Sequence, residues 1–338
     1  MTEAQRHTII IAEIGVNHDG SVDTACRMIR EAAEAGADYV KFQTFRSESL
    51  VCASASRAEY QQRNCGGEES QLQMLRRYEL TANDFSILAD ECRRQGIGFL
   101  SSAFDMESIA LLESFGMDYW KIPSGEITNL PYLRRIARTA KKIILSTGMS
   151  TTDEIRQAIR AIEKEGFDKK NITLLHCNTQ YPTPMEDVNL RAMLSLGEFG
   201  CGHIGYSDHT IGIAVPVAAV ALGGEMIEKH FTLDKNLPGP DHKASADPAE
   251  LRAMVKAIRE TEKALGSSDK HPTESETPNR AVARKSIVAS RAISRGELLT
   301  DDNLTAKRPG NGISPMLWDS VIGTRAIRDF LPDEQIQL

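Results

Sequence analysis

The chain of 338 residues has no C-x-x-C pair, no apolar run of membrane length, no basic excess and no G-x-G-x-x-G turn. Each absence narrows the choice. Six cysteines (26, 52, 65, 92, 177 and 201) without paired spacing point to reduced thiols and a cytoplasmic protein. The longest apolar stretch, Ile211 to Leu222, contains Pro216 and is too short to span a bilayer. The opening MTEAQRHTIIIAEIG lacks the n-region and cleavage pattern of a secretory signal. A formal net charge of −7 excludes a nucleic-acid surface but not an anionic substrate, because local lysines and arginines outweigh the sum. With 41% apolar and 26% charged residues the chain is expected to fold as a globular protein without nucleic-acid or membrane partners.

What is present is alternation. Eight short β-type runs recur: Ile9–Ile14, Tyr39–Gln43, Gly98–Ser102, Tyr119–Ile122, Ile143–Ser146, Ile172–His176, His203–Tyr206 and Met226–Phe231. Helical patterns separate most of them. VDTACRMIREAAEA puts Val22, Cys26, Ile29 and Ala33 on one face and stops at Gly36. TANDFSILADECRRQ opens on a Thr81–Asp84 cap and closes at Gly96. Ser150, Thr151 and Thr152 offer caps to the helix that follows them. Strand and helix repeated eight times over about 260 residues predict an α/β fold, a (β/α)8 TIM barrel. The rival, a doubly wound open sheet, would carry a glycine fingerprint after its first strand, and GVNHDGS is not one. The barrel is expected over 1–268 and a polar linker over 269–284. A small β-rich module with turns at Arg295-Gly296 and Asn311-Gly312 is expected over 285–338. Its core is thin for independent folding, so it is expected to dock on something.

Barrel active sites sit at the C-terminal ends of the strands. Here those ends carry Glu13, then Lys41 and Gln43, then Ser101, Ser102 and Asp105. Next come Lys121 with Ser124 and Glu126, Ser146 and Thr147, and His176 with Asn178, Thr179 and Tyr181. Ser207, Asp208 and His209, and finally Glu228 and His230, complete the rim. A serine at a strand end is more often a helix cap than a ligand contact. Lys41 and Lys121 are different. Both lie inside apolar strands, where an unpaired ammonium costs several kcal/mol, so each needs a ligand anion or a protein carboxylate. His209 and His230 end neighbouring strands and suit a divalent ion such as Mn²⁺, Mg²⁺, Co²⁺ or Zn²⁺, with backbone hydrogen bonding or helix capping as the alternative. Asp208 is expected to cap the following helix, with orientation of His209 as its other role. His18 and His176 read as structural, and His203 falls on the wrong end of its strand. The loop NLPGPDHK holds Asp241 over the barrel mouth, where it can meet a polyol; His242 and Lys243 fit a solvated loop equally well.

Eight stretches carry a resemblance: AEIGVNHDGS, ADYVKFQTF, YWKIPSGEITNLPYL, ILSTGMS, HCNTQYPTP, GYSDHTIG, EKHFTLDKNLPGPDH and KSIVASRAISRGE…KRPGNGI. In order and along nearly the whole chain, they resemble the sialic acid synthases, which include N-acetylneuraminate, legionaminate and pseudaminate synthases. The resemblance implies a barrel followed by an antifreeze-like (SAF) domain. It implies a homodimer in which that domain is swapped over the partner's barrel mouth. It implies condensation of phosphoenolpyruvate with an N-acetylated amino-sugar aldehyde, N-acetylmannosamine or 2,4-diacetamido-2,4,6-trideoxy-mannose, to a nine-carbon 2-keto acid. Lys41, Ser102, Lys121, Ser124, Ser146 and Ser207 would form the phosphoenolpyruvate site, with Gln43 beside it and Asn178 or Thr179 added. His209 and His230 would be metal ligands, with Mn²⁺ the first choice and Mg²⁺ or Co²⁺ the others. Glu126, Tyr181 and Asp241 would meet the sugar, Arg308 would reach it across the dimer, and Glu13 would act as acid or base. Where N-acetylneuraminate synthases read C-T-N-x-Y-P-T-P, this chain has CNTQYPTP, which resembles the legionaminate branch. Two rivals remain: a Schiff-base aldolase using Lys121, and a non-enzymatic SAF-containing sugar-binding protein.

Overall fold

The computed structural model describes residues 7–52, 54–57, 62 and 69–338; Cys65 and residues 1–6 lie outside them. Two compact units divide the chain, one ending at Gly266 and one beginning at Ser267. In the first, eight parallel strands close into a barrel in chain order. They are β1 (Ile9–Gly15), β2 (Tyr39–Thr44), β3 (Gly98–Ala103), β4 (Trp120–Ile122), β5 (Ile143–Ser146), β6 (Ile172–His176), β7 (His203–Asp208) and β8 (Met226–His230). The expected barrel is present, each strand within two residues of its expected bounds, and β1 pairs with β8 to close it.

Local chemistry explains the elements. The helix Ala82–Gln95 starts on a reciprocal Thr81–Asp84 capping box and ends at Gly96, whose φ of 69° is the left-handed value that glycine adopts at least cost. Thr151, one of three candidates, caps the helix Thr152–Glu163 with Glu154. The helix Val22–Glu34 buries Cys26 and Ile29 together with Ala25, Met28 and Ala32, while Val22 and Ala33 sit at the edge of that face. Outward side chains of the strands, among them Ile10, Val40, Phe42 and Ile227, pack beneath these helices in one continuous apolar layer. Period-two alternation therefore turns Glu13, Lys41, Gln43, Ser102 and Lys121 to the inside. The five described cysteines are free thiols. Among the described residues no helix is long and apolar enough to cross a membrane.

The second unit has its own small core of Ile287, Ala289, Ile293, Leu299, Leu304, Val321, Ala326, Phe330 and Ile336. Two antiparallel strands, β9 (Ser286–Ala289) and β10 (Leu304–Lys307), form its sheet. Gly296 has φ 82°, as a turn there requires. One finding departs from the expected linker: Thr277–Ala283 is helical. Its side chains are all exposed, so no apolar face betrayed it, and Pro278 stands near its start, where a missing N–H costs nothing.

Candidate active site

The C-terminal mouth of the barrel holds a cavity of about 440 Å³. Thirteen of the expected site residues line it: Glu13, Lys41, Gln43, Ser102, Lys121, Ser124, Ser146, Thr179, Tyr181, Ser207, His209, His230 and Asp241. Three do not. Asn178 is turned into its own loop, donating to the Asp187 carbonyl at 3.4 Å and accepting from Gln180 N at 2.7 Å, so Thr179 is the residue that faces inward. Glu126 accepts from Asn129 Nδ2 at 2.6 Å at the entry of the helix Leu130–Thr139, outside the cavity lining. Arg308 belongs to the second unit, is exposed, and donates through Nε to the Ala283 carbonyl at 2.9 Å.

The lysines have protein partners. Lys41 Nζ lies 2.7 Å from Glu13 Oε2, 3.3 Å from Ser102 Oγ and 3.7 Å from Glu228 Oε1. Lys121 Nζ donates to the same Glu228 Oε1 at 2.9 Å, and Ser207 Oγ donates to it at 3.2 Å. Glu228 is the residue that sequence reasoning left on the rim without a role. It bridges both ammonium groups. Burial alone would raise its pKa, but Lys121 and Lys41 outweigh burial and hold the carboxylate well below its ordinary range. Glu13 goes the other way. Burial pushes its carboxyl up, Lys41 opposes that, and Glu228 adds to it. Burial works against the charge on Lys41, but Glu13 and Glu228 hold it above the ordinary lysine value; at Lys121 burial wins and the pKa falls. The cluster thus separates two carboxyls into one firmly ionised and one ready to take a proton. Ser146 Oγ and Glu228 Oε2 are buried without a hydrogen-bond partner, which leaves polar capacity aimed into the cavity.

Gly15 sits behind this cluster at φ 56°. A Cβ there would stand 3.2 Å from Glu13 Oε1 and 3.3 Å from Gln43 Nε2. Gly15→Ala is therefore expected to lose roughly 1–2 kcal/mol of stability from the left-handed backbone. It should also lower kcat/KM by about tenfold by displacing Glu13. Thermal melts and steady-state kinetics of the variant check both.

Beside this cluster, with His230 the register neighbour of Glu13, the His209 and His230 rings stand 5.4 Å apart between centroids. Tyr181 packs on both, at 4.0 Å and 5.5 Å. Burial lowers the His209 pKa to about 4, and burial, the other imidazole and Lys41 lower that of His230, so both rings are neutral. His209 Nδ1 bonds the Asn178 carbonyl at 2.5 Å, which leaves Nε2 with the lone pair; His230 Nδ1 is buried without a hydrogen-bond partner. Two neutral imidazoles with free nitrogens fit a divalent ion. Among the described residues no cluster of three or more His, Cys, Asp or Glu forms, so water or substrate would complete the shell. Asp241 Oδ2 lies 4.0 Å from His230 Nδ1, and burial pushes its pKa up to about 6 against the pull of His242.

Two readings of loop residues are corrected. Asp208 does not cap the helix Ala214–Ala221, which begins after Ile213; it binds Lys229 and Thr210 instead. His242 is fully buried rather than solvated, with Nδ1 2.7 Å from Thr232 Oγ1, while Lys243 is exposed. His176 bonds the Val188 carbonyl at 2.9 Å, and His203 is exposed against Glu225, as structural roles require.

A closed parallel barrel that gathers two lysines, three carboxyl groups, four serines and two neutral imidazoles at one mouth is a barrel enzyme built around an anionic substrate. Comparison with known proteins narrows this. The NeuB family model matches residues 28–270, and the SAF domain model matches residues 284–338. The chain is 48% identical to the N,N'-diacetyllegionaminic acid synthase of Campylobacter jejuni, covering 98% of this chain and 99% of that one. It is 44% identical to the N,N'-diacetyllegionaminic acid synthase of Legionella pneumophila, covering 94% and 89%. A solved structure of the N-acetylneuraminic acid synthetase of Leptospira borgpetersenii, in complex with citrate, is 32% identical with a TM-score of 0.71, covering 82% of this chain and 93% of that one. The chain belongs to the NeuB family, as a transferase of the synthase type with a C-terminal SAF domain.

Proposed function

We propose that the enzyme condenses phosphoenolpyruvate, an amino-sugar aldehyde and water to a nine-carbon 2-keto acid and phosphate, with 2,4-diacetamido-2,4,6-trideoxy-mannose as the acceptor. The observation that carries the first part is the Lys41–Glu228–Lys121 bridge ringed by serine hydroxyls. Such a ring can hold a phosphate and a carboxylate side by side that would otherwise repel. Ser102 accepts from Lys41, Ser146 keeps an unpartnered hydroxyl, and Ser124 and Thr179 close the ring.

The charges of the lysine cluster nearly cancel: two ammonium groups face two carboxyls. A phosphoenolpyruvate anion is compensated once Glu13 holds a proton and a divalent cation, Mn²⁺ first and Mg²⁺ or Co²⁺ as substitutes, sits at His209 and His230. A bound divalent ion supplies Lewis acidity for the aldehyde oxygen, worth several kcal/mol. The enolpyruvate C3 then attacks the aldehyde carbon, water adds at C2, and the tetrahedral product expels phosphate with its C–O bond. Glu13, the carboxyl whose pKa burial raises, gives its proton to the aldehyde oxygen as the C–C bond forms and, once ionised, takes the proton that the water releases. Tyr181 and Asp241 face the sugar from the imidazole side of the cavity.

The acceptor follows from the apolar part of the cavity lining. Phe45, Leu50, Met74, Leu75, Tyr78 and Phe104 form it, and three of them come from the helix Gln71–Tyr78. This mainly apolar lining, with Gln71 and the Tyr78 hydroxyl its polar groups, accepts a C6 methyl and acetamido methyls more readily than an added hydroxyl. The 48% identity to a diacetyllegionaminic acid synthase supports the same choice. Offering N-acetylmannosamine and the diacetamido sugar together, with products weighed by mass spectrometry, tests it. The diacetamido product should predominate by at least tenfold; equal amounts would reject the acceptor assignment.

The SAF unit is assigned to the mouth of a second copy's barrel in a homodimer, so that Arg308 of one copy meets the sugar of the other. Arg308→Ala is expected to raise the KM for the sugar about 100-fold, with the phosphoenolpyruvate KM within threefold, because a charge-assisted hydrogen bond contributes roughly 1.5–3 kcal/mol. An unchanged sugar KM removes the cross-dimer contact.

A further inference from the structure

Lys229 is a second kind of buried lysine. It is 1% exposed and stands on the outer face of β8, with its ammonium on the opposite side of the strand from the cavity. Asp208, fully buried on the outer face of β7, is its register partner, one step beyond the inner pair Ser207 and Glu228. Lys229 Nζ donates to Asp208 Oδ2 at 2.5 Å and to the Thr210 carbonyl at 2.7 Å. Asp208 Oδ1 in turn accepts from Thr210 N at 3.1 Å and Thr210 Oγ1 at 2.9 Å. Nothing in the proposed chemistry uses these groups. What they enclose is telling. Residue 209 lies between 208 and 210, and residue 230 follows 229.

We propose that Lys229 and Asp208 are positioning residues, a clamp behind the barrel wall that fixes His209 and His230 toward one another. The tie runs from one strand end to the next and around the turn that carries His209. Both residues flanking His209 are pinned from behind, by Lys229 to Asp208 and by Lys229 to the Thr210 carbonyl. In front, the His209 carbonyl accepts from Thr183 N at 2.9 Å, and the ring donates from Nδ1 to the Asn178 carbonyl. With main chain and ring both fixed, Nε2 is left pointing at one place. A carboxylate of ordinary helix-capping use would not need a buried lysine, because caps are satisfied by backbone N–H groups. Burying an ion pair is costly and is at best neutral for stability, so its return must lie elsewhere than in stability. Alignment of two ligands from separate strands is such a return, because groups behind a metal ligand tune its affinity by about 10–100-fold.

This inference rests on the proposed divalent-ion site, and its test separates the two. Mn²⁺ binding to the chelator-stripped full-length protein is followed by electron paramagnetic resonance, and phosphoenolpyruvate binding by calorimetry. The variants are Lys229→Met and the double variant Lys229→Met/Asp208→Asn, which leaves no unpaired buried charge and should melt near the wild type. Both should bind Mn²⁺ at least tenfold more weakly while phosphoenolpyruvate affinity stays within threefold. Lys229→Arg should recover part of the loss. Unchanged Mn²⁺ affinity in a folded double variant overturns the clamp, as does an equal fall in both affinities, which would mark a general loss of structure. Were the wild type to bind no Mn²⁺, the divalent-ion reading would fall alone. A crystal structure of the double variant then decides: His209 displaced from Asn178 supports the clamp, and His209 unmoved rejects it.

Discussion

Lys121→Ala is expected to remove activity, lowering kcat/KM by about 10³-fold or more, while the barrel stays folded. The lysine offers an anion charge-assisted hydrogen bonds worth roughly 1.5–3 kcal/mol each, and a phosphate with a neighbouring carboxylate takes more than one. No neighbour replaces it. Lys41 is held by Glu13 at 2.7 Å and approaches Glu228 at only 3.7 Å. The fold survives because Glu228 keeps Ser207 at 3.2 Å and Lys41 beside it. Breaking a buried pair costs about 3 kcal/mol or more, on the order of 10 °C in Tm for a domain of this size. Circular dichroism melts and phosphate-release kinetics on one preparation separate the two effects. Activity within tenfold of the wild type would remove the lysine from the anion site.

Chelation is the second large effect. Stripping divalent ions should abolish turnover, by at least about 10³-fold, since Lewis-acid help of several kcal/mol is withdrawn. Mn²⁺ should restore it. His209→Ala should not be restored at the same Mn²⁺ concentration, because one of only two imidazoles is gone and no third His, Cys, Asp or Glu completes a cluster among the described residues. Phosphoenolpyruvate affinity should change little in that variant, as both proposed anion-holding lysines, Lys41 and Lys121, remain with their carboxylate partners. Full activity in the presence of chelator would contradict the reading.

The barrel was legible because its signals are local. Each strand is a short apolar run between breakers, and the Thr81–Asp84 and Thr151 caps mark helix starts by residue type alone. The need of Lys41 and Lys121 for anions was legible too, since an ammonium in an apolar strand has no other resolution. Which anion was not: Glu228 is 107 residues from Lys121, and only closure of the barrel brings them within 2.9 Å. The same reasoning applied to Lys229, in the apolar run that leads to His230, finds a lysine that needs a carboxylate, and Asp208 supplies it. Asn178 and Glu126 bind their own loops, at Gln180 and Asn129, and such local hydrogen bonds near turns are not announced by strand-end placement. The helix Thr277–Ala283 was illegible for a different reason: with every side chain exposed it leaves no periodic trace.

The most direct measurement follows the carbon and the phosphate together. Phosphoenolpyruvate labelled with ¹³C at C3 is supplied with the diacetamido sugar and Mn²⁺, and both product mass and inorganic phosphate are quantified. The account predicts one phosphate released per nine-carbon keto acid, the label in that acid, and no activity with pyruvate. Product formed from pyruvate, with Lys121 trapped by borohydride as a secondary amine, would contradict it and establish a Schiff-base aldolase in its place.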